Sequence, residues 1–341
     1  MTCVLFLEQP ANIPAAVALA SNFAAPDRPP TQSDMQFIAG GTNLADYMKL
    51  DVAQPSRLLD LNRLSEPALR QIRVTAEGVR FGALVRMGEA ADDKDVRLYY
   101  PVIADSLRLA ASGQLRNMAS LAGNVLQRTR CEYFREISWA CNKRQPGSGC
   151  AAMDGFNRQH AVLGVSDACI ATYHGDFAQA LIALDANLHV EGSRGAREIR
   201  FADLHRLPGD TPHVETGLAA DEIITAIDVP AGPWTRRSRY LKVRDRESYA
   251  FALASAAVAL DLDGNNVREA RIALGGVATV PWRAREAEAV LHGKILDEAT
   301  ARAAAETAFA DARPRDHNAF KIELGKRTLV RALLETRDMK V

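Results

Sequence analysis

Between Gln36 and Leu44 the chain reads QFIAGGTNL. A short apolar run stops at two adjacent glycines, and a polar start leads into a segment with Leu44 and Met48 on one helical face. No other stretch constrains the fold as tightly. Glycines lack a Cβ, so their backbone N–H groups can approach an anion closely, while the Thr42 hydroxyl and the Asn43 amide can complete its shell. The spacing matches neither the Rossmann nor the Walker pattern. On the residues alone, a phosphate site and a plain tight turn both stay open. A second stretch, SGQLRNMASLAGN from Ser112 to Asn124, interleaves small residues with polar Arg116, Asn117 and Asn124. It reads as a loop able to meet a ligand at close range, or as a flexible connection. A pyrophosphate bridged between the two loops suits a dinucleotide held in an extended form.

The flanking pattern is mixed. Ala11–Phe23 carries apolar residues at helical spacing and APDRPPTQSD breaks it as a loop; RLLDL (Arg57–Leu61), IRVTAEGVRFGAL (Ile72–Leu84, turning at Ala76–Gly78) and CIATY (Cys169–Tyr173) read as strands. Tyr100–Ala111 and Phe177–Leu184 read as helices. A second regime starts near Pro230, where AGPWTRRSRY reads as a linker. Beyond it, apolar runs on both sides of Asp263–Asn266 predict a hairpin, and Ala284–His292, Asp297–Ala310 and Ile322–Glu335 predict helices. The expected class is α+β: an N-terminal portion of mixed elements, then a smaller C-terminal antiparallel sheet with helices. At 341 residues the chain is too long for one ordinary core.

Lys plus Arg and Asp plus Glu are equal at 42 each, so no net field draws nucleic acid or an anionic membrane. MTCVLFLEQP lacks the basic start of a secretory signal, and Ala250–Leu260 is too short to span a bilayer. The expectation is no nucleic-acid partner, no membrane insertion, and residence in the cytoplasm or export in the company of a partner that carries the signal.

Three of only five cysteines (Cys131, Cys141, Cys150) fall within RTRCEYFREISWACNKRQPGSGCAAM, and Cys169 follows. Nine, eight and eighteen residues separate the four in turn. Composition argues against disulfides. Zinc ligands usually come in closely spaced pairs, which are absent here, whereas an iron–sulfur cluster takes four thiolates from irregular loops. Arg128, Arg130, Lys143 and Arg144 would offset the charge of such a centre, and Gly147 and Gly149 would let the backbone wrap it. Zinc and cluster both stay open on the residues alone, and Cys169 is also readable as a packed thiol in a strand. Cys3 reads as a buried strand residue, and His160 and His174 as packed or surface histidines.

With both glycine stretches and the cysteines in view, the chain resembles the FAD-binding medium subunits of the molybdenum hydroxylases, the xanthine dehydrogenase and carbon monoxide dehydrogenase group. The resemblance is carried, in order, by QFIAGGTNL, LRNMASLAGN, YHGDFAQALIALDA, GLAADEIITAIDVP, YLKVRDRESYAFALASAAVAL and ARIALGGVATVPWRA. Asn124 and Asp176 stand about fifty residues apart, far more than in most members, and the excess carries the cysteines. In this the chain is especially similar to the FAD subunits of periplasmic aldehyde oxidoreductases, where segments like QRTRC, CNKR, GSGC and ACIAT supply a [4Fe–4S] cluster. A similar insertion occurs in 4-hydroxybenzoyl-CoA reductases.

The resemblance implies a two-part FAD-binding domain of the PCMH/vanillyl-alcohol-oxidase type over 1–230. Its first subdomain would be about 1–60 and its second 61–230, with the cluster insertion at about 125–170; a C-terminal flavoprotein domain would span 235–341. It implies that Gln36, Phe37, Ile38, Ala39, Gly40, Gly41, Thr42, Asn43 and Leu44 wrap the FAD pyrophosphate, with Ser120, Gly123 and Asn124 completing the clamp. Asp176 would bind the flavin side, Ile224 would pack on the ring system, and Lys242 would sit near the isoalloxazine. Ala122 replaces a glycine common in the family, and Tyr173-His174-Gly175 replaces a Pro-Ser type of approach to Asp176. Cys131, Cys141, Cys150 and Cys169 would hold the [4Fe–4S] cluster, in a mainly structural role. The implied partners are a large subunit carrying the molybdopterin cofactor and a small subunit with two [2Fe–2S] clusters, forming a heterotrimer. FAD would collect electrons from them for an external acceptor. A xanthine dehydrogenase or 4-hydroxybenzoyl-CoA reductase type of subunit is the alternative within the family. A zinc-bearing, non-catalytic binding module, using the basic and aromatic residues of RTRCEYFREISWACNKR, is the alternative outside it.

Overall fold

The computed structural model describes residues 5–25 and 28–341; Cys3 lies outside them. The first unit comprises β1 (Phe6–Glu8), α1 (Ile13–Ser21), β2 (Met35–Ile38), α2 (Leu44–Lys49) and β3 (Arg57–Asp60). Asn12 caps α1 by accepting from the Ala15 N–H at 2.9 Å, and Pro14 lies in its first turn. Ile13, Ala16, Val17 and Ala20 then fall on the buried face, three and four residues apart. The strands form a parallel sheet in the order β1-β3-β2.

The second unit opens with β4 (Ile72–Val74) and β5 (Gly78–Gly82), followed by α3 (Met87–Asp92), α4 (Lys94–Tyr99), α5 (Pro101–Arg108), α6 (Gly113–Met118), α7 (Leu121–Val125) and α8 (Glu132–Arg135). After the cysteine segment come α9 (Phe177–Ala183), β6 (Asn187–Gly192), β7 (Gly195–Arg200) and β8 (Ile223–Pro230). These strands form an antiparallel sheet, β4-β5-β8-β6-β7, packed on the helices through residues such as Phe81, Leu107 and Phe177. Each such side chain, fully buried, contributes about 1.5–3 kcal/mol.

The third unit holds β9 (Ser238–Val243), β10 (Ala254–Asp263), β11 (Asn266–Gly275), β12 (Trp282–Arg283), α10 (Arg285–Leu291), α11 (Glu298–Ala308) and α12 (Phe320–Arg337). Its sheet is antiparallel, β12-β11-β10-β9, and β10 and β11 turn at Asp263–Asn266 as expected. The apolar run in β10 has a simple cause. Ala254, Ala256, Val258 and Leu260 face the C-terminal core, while Ala257 and Ala259 face the core of the preceding unit. A strand buried on both faces needs no polar alternation.

Three expectations change. CIATY is not a strand: its backbone pairs with loops, Tyr173 N–H donating to the Ala278 carbonyl and Ala161 N–H to that of Ile170, with no neighbouring strand to complete a ladder. The 112–124 stretch is not a loop; it forms α6 and α7, capped by Ser112 and Ser120. AGPWTRRSRY is not a free tether either. Arg271 stacks on Trp234 at 3.7 Å from the ring centroid, Thr235 and Ser238 are buried, and Ser238 begins β9.

Candidate flavin site and cysteine cluster

The two glycine stretches touch. A Cβ built on Gly40 would lie 2.0 Å from the Met118 carbonyl oxygen, at the end of α6, so only glycine permits this approach. Gly41 adopts φ +72°, the left-handed region, to swing the chain into α2. Asn43 Nδ2 donates to the Gly123 carbonyl at 3.4 Å, and Ser120 Oγ accepts from the Gly123 N–H at 3.2 Å. Gln36 closes the approach to β2, donating to the carbonyls of Pro30 and Ser33 at 2.7 and 3.0 Å.

Two cavities open on either side of this contact. One, of about 230 Å³, is lined by Gln36 through Leu44 together with Ser120 and Gly123. The other, of about 770 Å³, is lined by Thr42, Asn43, Asn124, His174 and Asp176. Thr42 and Asn43 border both, so the glycine turn stands between the two cavities. Lys242 stands behind the second cavity rather than in its wall. Its Nζ donates to Asp176 Oδ2 at 2.7 Å and to the Leu109 carbonyl at 3.0 Å, while the Tyr240 hydroxyl donates to Asp176 Oδ1 at 2.6 Å. Burial pushes the Asp176 carboxyl up, and Lys242 and Tyr240 oppose that shift. Ile224 lines neither cavity; it lies in β8, opposite Val190, within the sheet core.

The Lys242–Asp176 pair has side chains 1% and 5% exposed. Lys242→Met should therefore cost about 3–5 kcal/mol, because it strands a buried carboxylate. Denaturant unfolding checks this, and the double variant with Asp176→Asn should lose less than the sum of the singles.

Sequence reasoning missed three contributors. Arg86 bonds Met118 O at 2.5 Å and Asn62 Oδ1 at 3.0 Å, bracing the contact between the glycine stretches. Arg130 bonds Asn43 Oδ1 at 2.5 Å and Asp46 Oδ2 at 2.9 Å. His205 lines the smaller cavity and its Nε2 lies 2.9 Å from the Val125 carbonyl. Burial lowers the His205 pKa from 6.5 to about 4. The unfolded chain thus binds a proton between those values that the folded one refuses. This contribution is intact above pH 6.5 and is lost as pH falls towards 4. His205→Gln should flatten that decline, read from unfolding midpoints across this range.

The four cysteines come together in a small buried cluster of their own with Tyr47, Phe134, Ile170 and Ala171. All are free thiols, and Cys141 and Cys150 face each other across a short bridge of backbone. Burial raises the Cys131 thiol strongly and pushes Cys169 up to about 11, and each is raised further by the neighbouring thiols. The Ala171 N–H points at Cys169 Sγ, 3.4 Å away, and His160 Nε2 lies 3.1 Å from Cys131 Sγ. His160 and His174 are both buried, as packed histidines. Among the described residues no three His, Cys, Asp or Glu side chains are placed to hold a single metal ion. The flanking cations do not simply face the sulfurs. Arg128 and Lys143 pair with half-buried Glu215, Arg130 pairs with Asp46, and Arg144 ties down the carbonyls of Tyr133 and Phe134. Gly147 and Gly149 take φ of +82° and +98° between Cys141 and Cys150.

The glycine turn and the α6–α7 segment close on one another between two cavities, an arrangement suited to an extended dinucleotide such as that of a flavoprotein. Residues 6–232 match the family described as FAD binding domain in molybdopterin dehydrogenase, and residues 239–336 the CO dehydrogenase flavoprotein C-terminal domain. The chain belongs to this family, the FAD-binding medium subunits of the molybdenum hydroxylases. It is 48% identical over 334 residues to the aldehyde oxidoreductase FAD-binding subunit PaoB of Escherichia coli K12, covering 97% of this chain and 98% of the relative. It is 27% identical to the carbon monoxide dehydrogenase medium chain of Hydrogenophaga pseudoflava, over 90% of this chain and 86% of that one. A solved structure of carbon monoxide dehydrogenase from the same organism superposes with a TM-score of 0.72 at 26% identity, covering 97% and 96% of the two chains. The residues fit FAD: buried Thr31 Oγ1 and Asn124 Oδ1, one in the wall of each cavity, have no protein partner and remain available to a polar ligand. This is an oxidoreductase subunit, and membership of the family removes the zinc-bearing binding module. No helix among the described residues is long and apolar enough to cross a membrane.

Proposed function

We propose that the chain is the electron-transfer FAD subunit of a molybdenum-dependent aldehyde oxidoreductase. Identity of 48% along nearly its whole length to a subunit named for that activity supports this reading over the xanthine dehydrogenase and 4-hydroxybenzoyl-CoA reductase types. Bound FAD exchanges electrons singly or in pairs, which suits a junction between one-electron carriers and an external acceptor. The chain's own residues bind and orient it. Gln36 through Leu44 receive the pyrophosphate from one side and Ser120, Gly123 and Asn124 from the other. Asp176, held by Lys242 and Tyr240, presents a fixed acceptor in the larger cavity. The partners would be a large subunit with the molybdopterin cofactor and a small one with two [2Fe–2S] clusters, in a heterotrimer. The small subunit's N-terminus decides the compartment: a signal there would carry the assembly to the periplasm, and its absence would leave it in the cytoplasm. The flavin domain would occupy 1–230 and the C-terminal domain 235–341.

Cys131, Cys141, Cys150 and Cys169 would hold one [4Fe–4S] cluster. Four free thiols gathered in one patch, three of them buried and one receiving a backbone N–H, support this assignment. Its role would be mainly structural, because electrons already reach FAD through the small subunit. A Cys141→Ser enzyme that assembles stably and fails only in flavin reduction would refute that role. The function itself is tested by mixing the assembled enzyme anaerobically with an aldehyde. Rapid bleaching of the flavin is expected. Bleaching by purines or reduced aromatic thioesters, with none by aldehydes, would contradict it.

A further inference from the structure

The helix that follows the glycine turn is too short to hold itself. Six residues make fewer than two turns, below the length at which a helix persists without tertiary support. The support comes from the cysteine insertion. Arg130 Nη1 reaches Asp46 Oδ2 at 2.9 Å and its Nη2 reaches Asn43 Oδ1 at 2.5 Å. Arg135 grips both oxygens of the same carboxylate, at 2.6 and 3.1 Å. Beside them the Tyr47 hydroxyl accepts from the Arg128 N–H at 3.1 Å, and the Tyr47 ring meets Phe134 edge-on at a centroid distance of 6.3 Å. Hydrogen bonds between charged groups in this partly buried setting are stronger than neutral ones.

The two arginines straddle Cys131. Arg130 precedes it, and Arg135 lies one turn later on α8, where its N–H donates to the Cys131 carbonyl at 3.1 Å. Both guanidinium groups thus reach Asp46 and Asn43 from backbone directly beside Cys131. We propose that occupancy of the cysteine centre and retention of FAD are positively coupled through Arg130 and Arg135, which hold α2 and the Asn43 side chain in the flavin-binding position. The inference rests on reading the four cysteines as a cluster site. Coupling of this kind is reciprocal: the loaded centre tightens FAD, and bound FAD protects the centre.

Arg130 borders the larger cavity and could also serve as a cation for the phosphates; the sign of one substitution separates the two roles. Asp46 borders the same cavity, and as a free carboxylate it would repel FAD phosphates. If charge alone mattered, Asp46→Asn would tighten FAD. If Asp46 is the anchor that the arginines hold, the same change loosens it.

The experiment follows FAD release from the assembled enzyme by recovery of flavin fluorescence on dilution, with iron and sulfide assayed in parallel. Removing the iron with an oxidant and chelator should speed FAD release from the natural protein about tenfold, within the roughly 5–150-fold range of such couplings. Asp46→Asn and Arg130→Ala should each release FAD faster with iron content retained, and iron removal should then add little. Asp46→Asn keeps the shape of the side chain, so it carries the test should Arg130→Ala fail to assemble. Unchanged FAD release after iron removal, or tighter FAD in Asp46→Asn, would overturn the coupling and leave the proposed function standing. A natural protein that holds FAD but no iron beyond the partners' clusters would overturn the cluster reading itself.

Discussion

Gly40→Ala should yield a protein that assembles with little or no flavin. The added methyl would meet backbone, not a side chain that can rotate away: Met118 O at 2.0 Å and Met118 C at 2.7 Å. Relief requires the glycine turn to retreat from the end of α6, which separates the two halves of the pyrophosphate clamp. Overpacking of this kind costs about 1–3 kcal/mol. Expressed in FAD affinity, that is roughly a 5- to 150-fold loss. Gly113→Ala is the control, since a Cβ there meets only the Arg116 guanidinium, at 4.0 Å, and lies within a helix. Flavin absorbance per chain should fall in the first variant and stay level in the second.

If the four cysteines hold the proposed cluster, Cys169→Ser should remove the iron of this chain altogether. A thiol pushed up to about 11 by burial stays protonated until something displaces the proton, which iron does and serine cannot imitate. Losing one of four ligands should release the cluster, and with it the order of the insertion between Cys131 and Cys169. Iron and sulfide per assembly should fall to what the partner subunits carry, and FAD release should quicken as in the stripped natural protein. If Cys169 is only a packed thiol, serine would cost about 1–3 kcal/mol as a buried hydroxyl and leave the iron in place. Metal analysis separates the outcomes without any activity assay.

How much of this could be read from the residues depends on the distance over which each feature is decided. QFIAGGTNL is local: strand propensity, two glycines and a polar helix start specify their own conformation, and the structure has β2, a left-handed Gly41 and α2 there. The hairpin at Asp263–Asn266 is local in the same way. CIATY has strand composition but no partner strand, and a ladder is a property of two segments. The stretch from Ser112 looked like a loop because its residues are small. Ser112 and Ser120 cap two short helices instead, each accepting a backbone N–H three residues on. The role of Ile224 against the flavin rings came only from the resemblance; in β8 it pairs with Val190 and packs within the sheet core.

Arg86 and Arg130 were illegible for a different reason. Their partners lie 32 and 87 residues away, and nothing next to either arginine marks the pairing. The same holds for the flanking cations of the cysteine segment. Counted along the sequence they offset thiolate charge; folded, Arg128 pairs with Glu215, while Lys143 pairs with Glu215 and also opposes the upward push of burial on the Cys169 thiol. The irregular spacing of the four cysteines left a shared centre open between zinc and a cluster, and only the resemblance chose between them.

One measurement is decisive: the FAD released by denaturing the purified assembly, counted against this chain. It predicts one FAD per chain in the natural protein and a large deficit in Gly40→Ala. A natural protein purified intact with no FAD, or a Gly40→Ala protein that keeps its full complement, would contradict it.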